Sequence, residues 1–380
     1  MKWIRVEKKK DVTLNFKLIN FIMPNIVYIP FFETDQLKIK FADKVKKGQI
    51  LFERTDNFTM SPVSGKVCGF MPIDILKRKN QPAVAIDNDL QERVLNTQTT
   101  LKKITQYTSL EVLEILEKYK IRDLTGASTL LNLNDLNEKK LLIIKAFADD
   151  PYTYTYEKVL DVYLNELLEC LNALKIIFKI PKVVIIVKKR YELINKKVLS
   201  KIGMYPELNL KIWPDYYGLE QEMFLKTKYP QAFILDLNNV LVLYNILKKK
   251  KITTKKIISV TSLEEKKIKL VNVKLNTKMI EVINKCFKDV KIADVIVNGV
   301  IKGQKVDPTN MIIDENIESI TLLKIKSKHE DNCINCGACS KVCPYNFDPK
   351  YKMYNREICQ NCQLCNYVCP AKINLIGEEK

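Results

Sequence analysis

Eight cysteines near the C-terminus constrain this chain more than any other feature. They read Cys333-Ile-Asn-Cys336-Gly-Ala-Cys339-Ser-Lys-Val-Cys343-Pro344, then Cys359-Gln-Asn-Cys362-Gln-Leu-Cys365-Asn-Tyr-Val-Cys369-Pro370. The pattern C-x2-C-x2-C-x3-C-P thus occurs twice, the second copy 26 residues after the first. Three closely spaced thiolates wrap one iron–sulfur cube, and the fourth, on a short helical turn, points away to a second cube. The spacing predicts two 4Fe–4S clusters. One is held by Cys333, Cys336, Cys339 and Cys369, the other by Cys359, Cys362, Cys365 and Cys343. Structural zinc favours two well-separated C-x2-C pairs instead. The Pro after each fourth Cys ends the local turn and removes an N–H. Gly337 leaves room for backbone beside the inorganic core, and backbone amides in such loops bond the sulfurs and help set the potential. Each cube stores one electron at a time, so the motif predicts a relay and assigns no catalytic residue.

The other three of the eleven cysteines, Cys68, Cys170 and Cys286, lie far apart. They are expected to pack as apolar residues. A tight cysteine cluster in a long chain points to metal in a reducing compartment rather than to disulfides. The basic stretch Met1 to Lys10 is followed by no apolar core, so no signal peptide is expected. The apolar stretch Leu18 to Phe32 is broken by Asn20, Pro24, Asn25 and Pro30. No run of about twenty apolar residues exists, and no transmembrane helix is expected.

The formal charge is +19, from 63 Lys+Arg against 44 Asp+Glu. A basic surface suits an anionic membrane face or an acidic protein partner. Compositional drift toward Lys, Ile and Asn explains the same number. Arg is scarce, which argues against nucleic acid as a partner. The runs Lys248 to Lys251 and Lys255-Lys256 read as solvated faces. His329, the sole histidine, reads as a solvated linker residue. Tyr345, Phe347, Tyr351, Tyr354 and Tyr367 crowd the cysteine segment, where packing against water explains them. No nucleophile set or paired-carboxylate motif stands out.

Along the chain, residues 1–25 read as a basic N-terminal segment. Residues 26–95 read as short strands and turns, with Gly48 and Gly65 suited to tight turns. Their arrangement resembles a barrel-sandwich hammerhead. No Lys stands in Thr55 to Met60 to carry a swinging cofactor, so this part reads as scaffold. Residues 96–236 alternate as an open α/β sheet. Strands are predicted at Leu141 to Ile144, Val183 to Val187, Leu210 to Trp213 and Ala232 to Leu235. Helices are predicted at Ser109 to Tyr119, with Ser109 as N-cap, Tyr156 to Leu174 and Tyr191 to Lys201. Residues 237–325 read as a small β-grasp-like, soluble-ligand-binding module, and 326–380 as the two-cluster ferredoxin-like segment. The fold class expected is therefore multidomain α/β and α+β.

This order of parts resembles the C subunit of the Rnf ion-translocating electron transport complex over roughly residues 25–375. The specific residues are Val27-Tyr-Ile-Pro30, Asp43-Lys-Val-Lys-Lys-Gly-Gln49, Ser61-Pro-Val-Ser-Gly65 and the two cysteine runs. Lys145-Ala-Phe-Ala-Asp-Asp-Pro-Tyr152 is similar to a further family stretch. The resemblance implies an electron-transfer subunit of an oxidoreductase complex, cytoplasmic and peripheral on the inner face of the cell membrane. Such a subunit takes electrons from NADH through a flavin, or from another donor, and passes them to other subunits. An acidic electron carrier is a further partner that the charge suits. The family's glycine-rich loop approaches the phosphates of FMN and NADH. At that place the chain reads Arg122-Asp-Leu-Thr-Gly-Ala-Ser-Thr-Leu-Leu131, keeping only Gly126. Leu237-Asn-Asn239 and Val260-Thr-Ser262 stand where further glycines are expected. These losses argue against bound FMN and direct NADH oxidation. Gly126, Asp149 and Asp150 are the only residues left to offer there, and a loop turn with solvated acids explains them equally well. The alternative reading is a soluble iron–sulfur reductase component, like the cobalamin reductase of propanediol-utilising microcompartments or the electron-transfer protein of proline reductase.

Overall fold

The computed structural model describes residues 4–5, 10–54, 57–76, 78–95, 102–119, 121, 141–218, 225, 227–251, 253–288, 294–323, 332–351, 359, 362–371, 373 and 375. The fold is mixed α/β. Gly126, His329 and the whole stretch 122–131 lie outside the described residues.

The first part is all β. A four-stranded antiparallel sheet runs in the order Ile26–Pro30, Arg78–Asn88, Gly65–Ile75, Lys44–Val45. A three-stranded sheet of Gln36–Leu37, Ile50–Arg54 and Asn57–Met60 accompanies it. Between them sit Val27, Ile29, Leu51, Phe52, Val63, Val67, Val84 and Ile86. Each buried aliphatic of this kind contributes roughly 1.5–3 kcal/mol. Gly48 does occupy a turn, at φ 84. Gly65 does not: it opens a strand, and a Cβ there would stand 1.9 Å from the Asp87 carbonyl oxygen. Close backbone approach, not turn geometry, requires that glycine. Cys68 also departs from expectation, because it is exposed on the same strand. Cys170 and Cys286 are buried as expected, and burial pushes the Cys286 thiol up to about 12.

The second part holds a four-stranded parallel sheet in the order Leu208–Trp213, Val183–Lys188, Leu141–Lys145, Ala232–Asp236. The two middle strands are nearly continuous apolar runs because both faces are buried: Leu142, Ile144, Val183 and Ile185 face the helices, and Ile143, Val184 and Ile186 pack with Phe147, Trp213 and Leu225. Helices Ser109–Lys118, Thr155–Ile177, Glu192–Ile202 and Leu237–Lys249 share the core with it. The first helix is capped by Thr108 rather than Ser109. The Thr108 hydroxyl accepts from Glu111 N, and the Glu111 carboxylate accepts from Thr108 N, a reciprocal capping box. The helix Leu237–Lys249 packs on this core, although its sequence position falls past 236.

The third part is a six-stranded mixed sheet in the order Gln304–Val306, Asp294–Val297, Ser319–Leu323, Lys255–Ser262, Lys267–Lys274, Thr13–Phe21. The last strand comes from the basic N-terminal stretch and runs parallel to Lys267–Lys274. Helix Met279–Cys286 buries Met279, Val282 and Ile283 against the sheet.

Candidate metal centre

The sequence repeat is also a structural repeat. Two five-residue helical turns, Ala338–Val342 and Leu364–Val368, pack on one another. Each starts after a left-handed residue, Gly337 at φ 68 and Gln363 at φ 60. Each ends in an extended cysteine, Cys343 at φ −65, ψ 121 and Cys369 at φ −66, ψ 114. The prolines that follow cannot continue a helix. Thus the third cysteine of each run lies on a turn and the fourth leaves it.

The eight cysteines differ in surroundings. Cys333 and Cys336 are exposed, Cys359 is half-buried, and Cys339, Cys343, Cys362, Cys365 and Cys369 are buried. Cys339, Cys365 and Cys369 share an apolar cluster with Ala371 and Leu375. Cys343 and Cys359 lie close enough to act on the charge of Cys362, and Cys343 and Cys362 on that of Cys365. Burial pushes the Cys365 thiol up to about 12, and Cys362 and Cys343 add repulsion. Such a crowded set is unfavourable as thiolates unless cations neutralise it, which is the chemistry of a cluster-binding donor set. Backbone amides already point at sulfur: Asn335 N donates to Cys333 Sγ and Phe347 N to Cys343 Sγ, each at 3.4 Å. These residues fit iron–sulfur ligation. Among the described residues, no three His, Cys, Asp or Glu side chains converge as a single metal ion would require.

The second run is seated on the body of the protein. The Tyr217 hydroxyl donates to the Cys362 carbonyl at 3.1 Å. Leu364 is buried against Tyr217 and Ile301. The Tyr367 hydroxyl is hydrogen-bonded to Tyr152, and burial pushes it up to about 12. Tyr152 belongs to the loop after strand Leu141–Lys145, and Asp150 organises that loop. Asp150 Oδ1 accepts from Tyr152 N at 2.9 Å, and Oδ2 accepts from Val300 N at 2.7 Å. Gly299, at φ +100, lets this carboxylate in, since a Cβ there would stand 2.7 Å from Oδ2. Arg190 donates to the carbonyls of Ala148 at 2.8 Å and Asp150 at 3.2 Å. Next door, Asp149 and Lys188 form a buried ion pair at 2.6 Å. Lys188 also donates to the Tyr216 carbonyl at 2.9 Å. Both acids are therefore structural and buried, not solvated. The seat was invisible in sequence, because its parts come from positions 148–154, 188–190, 216–217 and 299–301.

A flavin or dinucleotide phosphate would enter elsewhere. In an open parallel sheet that place is the switch point at the strand carboxyl ends, against a helix N-terminus. Here it lies between Leu141–Lys145 and Ala232–Asp236, whose last residues are register partners. The Tyr156 hydroxyl lies 2.6 Å from Asp236 Oδ2, 2.8 Å from Glu318 Oε1 and 3.0 Å from Lys145 Nζ. Asp236 also caps the helix Leu237–Lys249, accepting from Asn238 N at 2.9 Å. The helix N-terminus at this crevice is thus capped by the chain's own carboxylate.

A family model described as a 4Fe-4S binding domain matches residues 327–347. The chain is 26% identical to the C subunit of an ion-translocating oxidoreductase complex from Buchnera aphidicola subsp. Acyrthosiphon pisum (strain APS), over 83% of this chain and 71% of that protein. It is 24% identical to the protein of the same name from Buchnera aphidicola subsp. Baizongia pistaciae (strain Bp), over 83% of this chain and 67% of that protein. Among solved structures, an NAD+-reducing [NiFe]-hydrogenase in its H2-reduced state matches with a TM-score of 0.44 and 10% identity, over 60% of this chain and 50% of that one.

Proposed function

We propose that this chain, which is similar over most of its length to the C subunit of ion-translocating oxidoreductase complexes, relays electrons through two 4Fe–4S clusters as a peripheral subunit of such a complex. The duplicated turn with its eight cysteines carries the reading. Cys333, Cys336, Cys339 and Cys369 would hold one cluster, and Cys343, Cys359, Cys362 and Cys365 the other. Each cluster, when bound, takes up and gives up one electron at a time. The protein's part is to orient the ligands, shield them and fix their distance from the partner. The exposed Cys333 and Cys336 leave the first site open to another subunit, while Tyr217, Leu364 and Tyr367 hold the second against the body. In this reading residues 26–95 are a barrel-sandwich hammerhead-like scaffold and the β-grasp-like module follows the α/β part. The site of action is the cytoplasmic face of the membrane, beside the membrane-embedded subunits.

The test is anaerobic purification followed by iron, sulfide and flavin assays, with spectra before and after dithionite or NADH. The expected result is about eight irons per chain, reduction by dithionite, no flavin and no bleaching by NADH. Zinc in place of iron would overturn the proposal. FMN together with bleaching by NADH would make the chain an entry point rather than a pure relay.

A further inference from the structure

The segment Lys38 to Lys46 and the adjoining strand Gly65–Ile75 carry exposed lysines on either side of an exposed aromatic ring. Phe41 is 67% exposed. It sits beside Ala42, whose φ of 70 makes the turn. Ala42 N donates to the Val67 carbonyl and Val67 N to the Asp43 carbonyl, each at 2.9 Å, so the turn is fixed against strand Gly65–Ile75. Lys38, Lys40, Lys44 and Lys46 leave the chain around this turn and Lys66 leaves the adjoining strand, all exposed. Lys44 and Lys66 are direct cross-strand partners, a pairing that like-charge repulsion disfavours. Among the described residues only Lys38 of the five has an acid at ion-pair distance, Glu53 at 3.1 Å. Asp43 turns its Oδ2 to Lys40 N at 2.7 Å. Asp87 is the partner of Lys66 on its other side and forms no ion pair with it among the described residues.

We propose that this face docks on an anionic lipid surface, with Phe41 at the headgroup boundary and the five lysines toward lipid phosphates. Charge complementarity carries the choice of occupant. The cations are all Lys, whose long stems lie along an apolar boundary while the ammonium stays in water. A projecting ring needs a matching cavity on a protein partner, whereas a bilayer yields to it. Leu37, four residues earlier in the chain, is a second exposed apolar side chain, 41% exposed. The inference rests on the membrane-side reading above and adds the surface and the chemistry of its contact.

Flotation with vesicles tests it, using phosphatidylcholine alone and phosphatidylcholine mixed with phosphatidylglycerol. The full chain is expected to float with the mixed vesicles only, and less as salt rises. Lys44→Gln combined with Lys66→Gln should weaken partitioning about 30-fold. Phe41→Ser should weaken it about tenfold. Circular dichroism and iron content should stay unchanged in both. No flotation, equal flotation with neutral vesicles, or variants that float like the parent would each overturn the inference. So would variants that slow electron transfer to an acidic carrier protein while vesicles are ignored, which would make the face a protein contact. Iron measured on the same sample separates the two readings. An iron-loaded protein that ignores vesicles sinks only the docking surface, and a protein without iron sinks the relay.

Discussion

Glu157 shows how far a single residue can depart from its usual behaviour. It lies in the first turn of the long helix, 1% exposed. Arg190 Nε stands 4.0 Å from its Oε1, too far for a hydrogen bond. Burial pushes the carboxyl up to about 8, with Arg190 opposing and Asp215 adding to the rise. The folded state therefore holds a proton that the unfolded chain releases near pH 4.5. Where the folded state binds more protons, stability falls as pH rises. The window runs from about 4.5 to about 8. The loss is on the order of 3 kcal/mol at pH 7 relative to pH 4. Glu157→Gln keeps the shape of the protonated side chain and removes the titration. Urea melts at pH 6 and 8 should show the parent losing stability across that interval and the variant losing much less. Parallel pH curves for the two proteins would show that Glu157 does not carry this slope.

At the scale of elements, the paired turns of the cysteine segment allow a sharper test. Gly337 and Gln363 hold the same left-handed conformation in the two repeats. Among the described residues, and apart from its own chain neighbours, nothing lies within 4 Å of where a Gly337 Cβ would stand. Since Gln363 carries a full side chain there, Gly337→Ala should cost only about 1 kcal/mol, the strain of the left-handed backbone. Iron content should be unchanged. Loss of iron in that variant would mean that the glycine makes room for the inorganic core itself. The turns were legible in sequence because the motif fixes both spacing and stop signals, but the third cysteine of each run, not the fourth as expected, lies on the turn. The strands Leu141–Lys145 and Val183–Lys188 were legible because branched apolar runs bounded by polar residues have few other uses. Gly65 was misread because a glycine needed for close backbone approach looks, in sequence, like one needed for a turn. Asp149 and Asp150 were misread because short acids in a loop are usually solvated. Only the fold brings Lys188 and Val300 to them.

At the scale of the whole molecule, four separate stretches of the chain meet beneath the second cysteine run. Lys188 is the joint between two of them. Its side chain, 2% exposed, pairs with Asp149 and donates to the Tyr216 carbonyl, one residue before the tyrosine that holds Cys362. Lys188→Met leaves Asp149 buried without its countercharge, which costs about 3–5 kcal/mol. It also removes the donor that positions the strand Tyr216–Tyr217. Two effects should follow together: a lower denaturation midpoint, and faster proteolytic release of the cysteine segment. Adding Asp149→Leu removes the stranded carboxylate, because an apolar pair can replace a buried ion pair with little loss. The double variant should therefore recover most of the stability. It should not recover full resistance to proteolysis, since the Tyr216 carbonyl still lacks its donor. Recovery of both would mean that the pair only fills the core. Recovery of neither would mean that Lys188 acts through contacts other than Asp149. The divided outcome would place the link between the α/β sheet and the cluster segment in the Lys188 ammonium.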